Sequence, residues 1–130
     1  MDKIKVLLVD DEKDFLEIIG LRLESWGYKV DTAESRREAF DCLSKEIPDV
    51  LILDYKLGRD NGIEVLKEIR KSNTELPVIM LTAYPQEQIN RQAQTLGVSA
   101  FIPKLSAYQD VQEGLKTALD LAVKIKNFKR

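Results

Sequence analysis

Five side chains with usable chemistry stand directly after apolar runs of this chain. Asp10 and Asp11 follow the run at residues 4–9, and Asp54 follows residues 50–53. Thr82 follows residues 78–81, and Lys104 follows residues 100–102 after one proline. Three carboxylates, a hydroxyl and an ammonium thus come from four separate segments. Histidine is absent, which removes Ser-His-Asp and Cys-His catalysis, His-ligated zinc and an internal phosphohistidine. Any chemistry must rest on carboxylates, Lys104 or hydroxyls. Each position has a plain reading when taken alone. Asp11 suits a helix N-cap, Thr82 a turn, and Lys104 a solvated surface charge. Together they are harder to dismiss, because carboxylates a few ångströms apart repel by up to ~4 kcal/mol per pair at an effective dielectric of about 20. A positive group belongs among them. Oxygen ligands without His or Cys favour Mg²⁺ or Ca²⁺ over zinc, and two or three carboxylates with room for waters suit Mg²⁺, which in such sites engages a phosphate.

The elements that must position these residues are legible as alternating patterns. Ile4, Val6, Leu7, Leu8 and Val9 make a nearly continuous apolar strand of the kind buried on both faces. Residues 12–26 carry Phe15, Ile19, Leu23 and Trp26 at helical spacing, and Gly27 stands where a left-handed cap ends a helix. Residues 28–32 read as a more polar edge strand. Ser35 and Glu38 have capping-box spacing ahead of Ala39, Phe40, Leu43 and Ile47. The third strand covers residues 50–53. The loop at 58–62 contains Asn61-Gly62, a hairpin signal, but Val65, Leu66 and Ile69 continue it as a helix that Asn61 and Glu64 would start. The fourth strand covers 78–81, and Pro85 suits the first turn of the helix behind it. That helix has a thin stripe, Ile89, Ala93 and Leu96, before Gly97. Residues 100–102 form a short fifth strand that Pro103 marks as an edge. Ser106 and Gln109 suggest another capping box before Val111, Leu115, Ala118, Ala122 and Ile125. Five strands alternating with five helices imply an α/β fold, a doubly wound parallel five-stranded sheet. Ligands of such a sheet lie beyond the C-terminal strand ends at its switch point, where the five side chains stand.

Length and composition agree. The chain has 130 residues, room for one domain, and 44% hydrophobic with 32% charged residues is ordinary for a globular surface and core. Twenty basic against 22 acidic residues leave a formal charge of −2, which argues against non-specific nucleic-acid binding. No apolar run is long enough to span a bilayer. The first residues lack a leader pattern, and the single Cys42 allows no internal disulfide, so a cytoplasmic location is expected. Lys124, Lys126, Lys129 and Arg130 make the C-terminal end basic. They read as cations meeting a helix dipole, or as the start of a linker to an effector domain.

Asp10-Asp11, Asp54, Thr82 and Lys104, each at a strand end, resemble the receiver domain of bacterial two-component response regulators over roughly residues 3–123. The resemblance implies a flavodoxin-like (βα)5 sheet of order 2-1-3-4-5, as in the chemotaxis regulators. It assigns residues 1–123 to a receiver domain and 124–130 to the basic end of the last helix. It also implies roles. Asp54 is the phosphoacceptor. Asp10, Asp11 and Asp54 hold Mg²⁺, with the backbone carbonyl of Lys56 as a further ligand. Thr82 hydrogen-bonds the phosphoryl group and Lys104 pairs with one of its oxygens. Gly62 ends the active-site loop, and Phe101 is the aromatic switch behind Thr82. The implied partners are a sensor histidine kinase or phosphotransfer protein and an output partner or C-terminal effector domain, with a phosphorylation-dependent homodimer as a further option. The implied activity is self-catalysed phosphorylation and dephosphorylation of Asp54, not steady turnover of a substrate.

The chain departs from the family pattern at two places. Proline precedes Lys104 and Leu105 follows it, so a trans Lys104–Leu105 bond or a distorted loop is expected, since a non-proline cis bond costs about 2.5–4 kcal/mol. Leu57-Gly58 replaces the usual methionine and proline, and Gly58 loosens the loop. Lys56 beside Asp54 reads either as a modulator of dephosphorylation or as a solvated loop lysine. A carboxylate phosphatase would need an Asp-x-Asp pair, and Lys56 occupies its second position. A flavodoxin-like carrier would need a phosphate-cradling loop after the first strand, which is absent. A degenerate receiver acting as an unphosphorylated interaction module fits poorly with the intact acidic cluster.

Overall fold

The computed structural model describes residues 3–104 and 108–129. Its elements in chain order are β1 (Lys5–Val9), α1 (Lys13–Ser25), β2 (Lys29–Ala33), α2 (Arg36–Lys45), β3 (Val50–Asp54), β4 (Lys56–Leu57), β5 (Asp60–Asn61), α3 (Gly62–Arg70), β6 (Val78–Thr82), α4 (Glu87–Thr95), β7 (Ala100–Pro103) and α5 (Tyr108–Lys129). β2, β1, β3, β6 and β7 form the main sheet in that order, and every neighbouring pair is parallel. The main sheet therefore has the expected 2-1-3-4-5 order. Its order reverses between β1 and β3.

The apolar runs behave as two-faced strands. Leu7, Val9, Leu51, Leu53, Val78 and Met80 join α2, α3 and α4 in one core. Val6, Leu8, Val50, Ile52, Ile79 and Leu81 join α1 and α5 in the other. Both outer strands are less buried, as β2 and Pro103 of β7 suggested.

Several local expectations change. Asn61-Gly62 starts α3, and the hairpin that is present turns ahead of it, at Gly58-Arg59. β4 and β5 pair antiparallel as a two-residue hairpin, while the Asn61 side chain accepts from the Glu64 N–H at 3.0 Å and caps α3. Gly58 at the hairpin tip has φ +60°, a conformation that favours glycine. Pro85 lies ahead of α4 rather than inside its first turn, because Gln86 is the N-cap. Ile47 is exposed beyond the end of α2, and Ile125 is exposed on α5, whose buried stripe is Val111, Leu115, Leu119 and Ala122. Ser35 caps α2 by accepting from the Glu38 N–H at 3.2 Å, as the spacing implied. Gly27 and Gly97 close α1 and α4 with φ +97° and +74°. The Ser106/Gln109 capping box and the Lys104–Leu105 bond lie outside the described residues.

Candidate functional site

Among the described residues, the buried polar side chains are Asp10, Asp54 and Thr82. All three stand at the C-terminal edge of the main sheet, at the ends of β1, β3 and β6. Backbone hydrogen bonds place them. The Asp10 N–H donates to the Ala33 carbonyl at 3.0 Å, and the Tyr55 N–H donates to Leu81 at 2.9 Å. The Lys104 N–H donates to the Thr82 carbonyl at 2.6 Å, which extends the β6–β7 ladder by one bond and holds Lys104 beside the end of β6.

Lys104 then reaches back across the sheet edge. Its ammonium donates to Asp10 Oδ2 at 2.8 Å and to Asp54 Oδ2 at 3.1 Å. A third bond goes to Glu12 Oε1 at 2.9 Å. The Phe15 ring lies beside the same ammonium, 4.2 Å from its centroid. Asp11 is half-buried. It is not the α1 cap the sequence allowed, since Glu12 takes that position. The Asp11 carboxylate instead accepts from the Gly58 N–H at 3.0 Å and ties the hairpin to the site. Thr82 Oγ1 accepts from the Tyr84 N–H at 2.8 Å.

Electrostatics follow from this crowding. Burial, followed by the neighbouring Asp10 charge, pushes the Asp54 carboxyl up to about 7, against the pull of Lys104. Burial also raises Asp10 above the ordinary carboxylate range, opposed by its hydrogen bond from Lys104. Burial alone would lower the Lys104 ammonium. Its bond to Asp10 and the charge of Asp54 outweigh that and hold it above its usual value. The site thus contains more buried negative charge than one lysine offsets.

Asp10, Asp11, Glu12 and Asp54 each offer a carboxylate oxygen within 4.8 Å of the others. This all-oxygen set fits a hard divalent cation such as Mg²⁺. Gly62 packs against the backbone of Asp54 and Tyr55, and its N–H donates to the Tyr55 carbonyl at 2.5 Å. The Lys56 side chain is exposed, and Phe101 is half-buried on the side of the core formed with α2, α3 and α4. Asp10, Asp54 and Lys104 therefore converge as expected, Asp11 joins them through the hairpin, and Thr82 sits buried one strand away. Glu12 and Phe15 were not singled out from sequence. Asp10-Asp11-Glu12 is an unbroken acidic run, which was a usable signal for Glu12, but its place at a helix start masked it. Phe15 was indistinguishable from any core aromatic.

An open parallel sheet with a lysine-bridged carboxylate pair at its switch point defines a doubly wound α/β domain. The response regulator receiver domain family matches residues 6–116, and the chain belongs to that family, the receivers of two-component signalling. Response regulator SaeR of Staphylococcus aureus is 38% identical over 99 residues, 76% of this chain. The chain spans only 43% of that protein's length. A receiver domain protein from Clostridium thermocellum superposes with a TM-score of 0.84 at 29% identity, covering 97% of this chain and 98% of that one. A CheY-like receiver from Methanospirillum hungatei gives 0.83 at 28% identity, covering 95% and 98%. No helix among the described residues is long and apolar enough to cross a membrane.

Proposed function

We propose that this chain is a phosphorylation-controlled switch in which Asp54 accepts a phosphoryl group from a histidine on a partner kinase or phosphotransfer protein. The observation that carries this is the confinement of the buried polar side chains, Asp10, Asp54 and Thr82, to one sheet edge, with Lys104 bridging the two carboxylates. In the transfer, an Asp54 oxygen bonds to phosphorus as the P–N bond to the partner's histidine breaks. The leaving imidazole keeps the electron pair and gains a proton from solvent. Lys104 offsets charge on the phosphoryl oxygens, and the Thr82 hydroxyl donates to one of them once it turns from Tyr84.

Asp10, Asp11 and Asp54, with the Lys56 carbonyl, would hold Mg²⁺. When bound, the cation neutralises charge on the carboxylates and the incoming phosphate. Glu12 lies in the same cluster. Hydrolysis of the acyl phosphate resets the switch. Residues 1–123 are the receiver, and residues 124–130 lead toward an effector domain or end a stand-alone regulator. The output surface is the face of α4, β7 and α5. In support, α4 buries only Ile89 and Ala93, so it can shift at low cost. Phe101 of β7, beside β6, is positioned to follow Thr82.

The test is intact mass after incubation with acetyl phosphate, with Mg²⁺ or EDTA, beside Asp54→Asn. A single adduct that needs both Mg²⁺ and Asp54 is expected. An adduct on Asp54→Asn, or one formed equally in EDTA, refutes the assignment.

A further inference from the structure

An ammonium has three N–H donors, and Lys104 gives all three to carboxylates, at 2.8, 2.9 and 3.1 Å. Two of these, Asp10 and Asp54, are nearly inaccessible. Both change partners in the chemistry proposed above, Asp54 by bonding to phosphorus and Asp10 by facing a cation. The third, Glu12, has a side chain 63% exposed and has no role in that scheme. Its geometry is nonetheless specific. The Glu12 N–H donates to Asp10 Oδ1 at 2.9 Å while its carboxylate accepts from Lys104. Lys104 in turn donates to Asp10 Oδ2. Glu12, Asp10 and Lys104 form a closed ring of three hydrogen bonds. Three residues along, on the same face at the start of α1, Phe15 sets its ring beside the ammonium. The start of α1 is therefore a seat for Lys104, with a carboxylate on one side and an aromatic face on another.

We infer that Glu12 is a positioning residue, aiming the Lys104 ammonium at Asp54 while Asp10 and Asp54 exchange partners. The inference rests on the phosphoacceptor reading of the site. An exposed ion pair contributes little to stability, so what Glu12 supplies is direction. Glu12→Ala should unfold close to the wild-type temperature.

Two measurements test it. The first is the side-chain ¹⁵Nζ resonance of Lys104 in metal-free protein in the cold, identified by its loss in Lys104→Arg. Glu12→Ala should shift that resonance and hasten its exchange with water, and Glu12→Gln, which keeps an acceptor oxygen, should fall between. The second is the rate of phosphoryl uptake from acetyl phosphate with saturating Mg²⁺. Loss of one charge-assisted bond should slow Glu12→Ala roughly three- to tenfold, with Glu12→Gln intermediate. An unchanged resonance, or uptake that is unchanged or faster, overturns the inference. A tenfold or larger loss of Mg²⁺ affinity by titration calorimetry also overturns it, because Glu12 would then be a metal ligand. If the wild-type protein takes no phosphoryl group, the functional reading fails and the Lys104 resonance alone decides this one.

Discussion

Replacing Gly62 with alanine tests how the fold holds its phosphoacceptor strand. Gly62 does not have positive φ. Its requirement is space. A β-carbon there would overlap the Asp54 carbonyl oxygen and stand 3.1 Å from Tyr55 Cα and 3.2 Å from the Asp54 carbonyl carbon. All three are backbone atoms, so no side-chain rotation relieves the clash. Overpacking of this kind costs about 1–3 kcal/mol, and the rigid partners put Gly62→Ala near the upper end. The gain from alanine's helix propensity, at most ~1 kcal/mol, leaves a net loss of about 2 kcal/mol. For a domain of this size that lowers the melting temperature by roughly 8 °C. Gly20→Ala is the control. Gly20 is also helical and buried, but nothing lies within 4 Å of an added β-carbon, so this variant should gain about 0.5–1 kcal/mol. Thermal unfolding of the three proteins decides the matter. Because α3 and β3 must move apart, Gly62→Ala should also take up phosphoryl groups much more slowly, by up to about a hundredfold for a 1 Å displacement. A Gly62→Ala protein that melts with the wild type would refute the close approach.

Asp54→Asn should stabilise the fold at pH 8. The Asp54 carboxyl is raised to about 7 in the folded state, so its favourable contribution is complete only below about pH 4 and is lost as pH rises through 7. The difference should be on the order of 2–4 kcal/mol at pH 8 and shrink toward pH 4, read by urea unfolding across that range. A gap that does not depend on pH contradicts the cause. Arg70 donates to the carbonyls of Asn73, Leu76, Leu96 and Gly97 at 3.1, 2.9, 2.7 and 3.2 Å. Arg70→Met should cost about 2–3 kcal/mol and speed amide exchange first at Gly97 and Val98, in the turn after α4. Thr82→Val leaves the Tyr84 N–H without its acceptor. It should cost about 1–2 kcal/mol and raise exchange at the Tyr84 amide, while an unchanged amide would mean that water replaces the hydroxyl at once.

The alternation of apolar runs with amphipathic stretches was enough to give five parallel strands and five helices, because strands buried on both faces leave no polar positions to blur the pattern, whereas the strand order came from the family resemblance. Asp10, Asp54, Thr82 and Lys104 were legible for a related reason. A polar residue directly after such a run must fall at the sheet edge, whatever the loops do. Local signals were less decisive where two of them overlapped. Asn61-Gly62 carries both a hairpin signal and a helix-start signal, and only the packed chain shows that it starts α3 while the hairpin turns earlier, at Gly58-Arg59. Pro85 satisfies a first-turn preference, yet α4 begins after it. What needed the tertiary structure was every relation between distant segments. Glu12 and Lys104 are 92 positions apart in sequence, as are two ends of one hydrogen bond, and no periodicity encodes that meeting. The same holds for Gly62. Its sequence context suggests turn freedom, whereas its role comes from the backbone of β3 lying against it. Pattern along a chain reports which face of an element is buried. It does not report which atoms of another element occupy that face, and the chemistry of this site depends on those contacts.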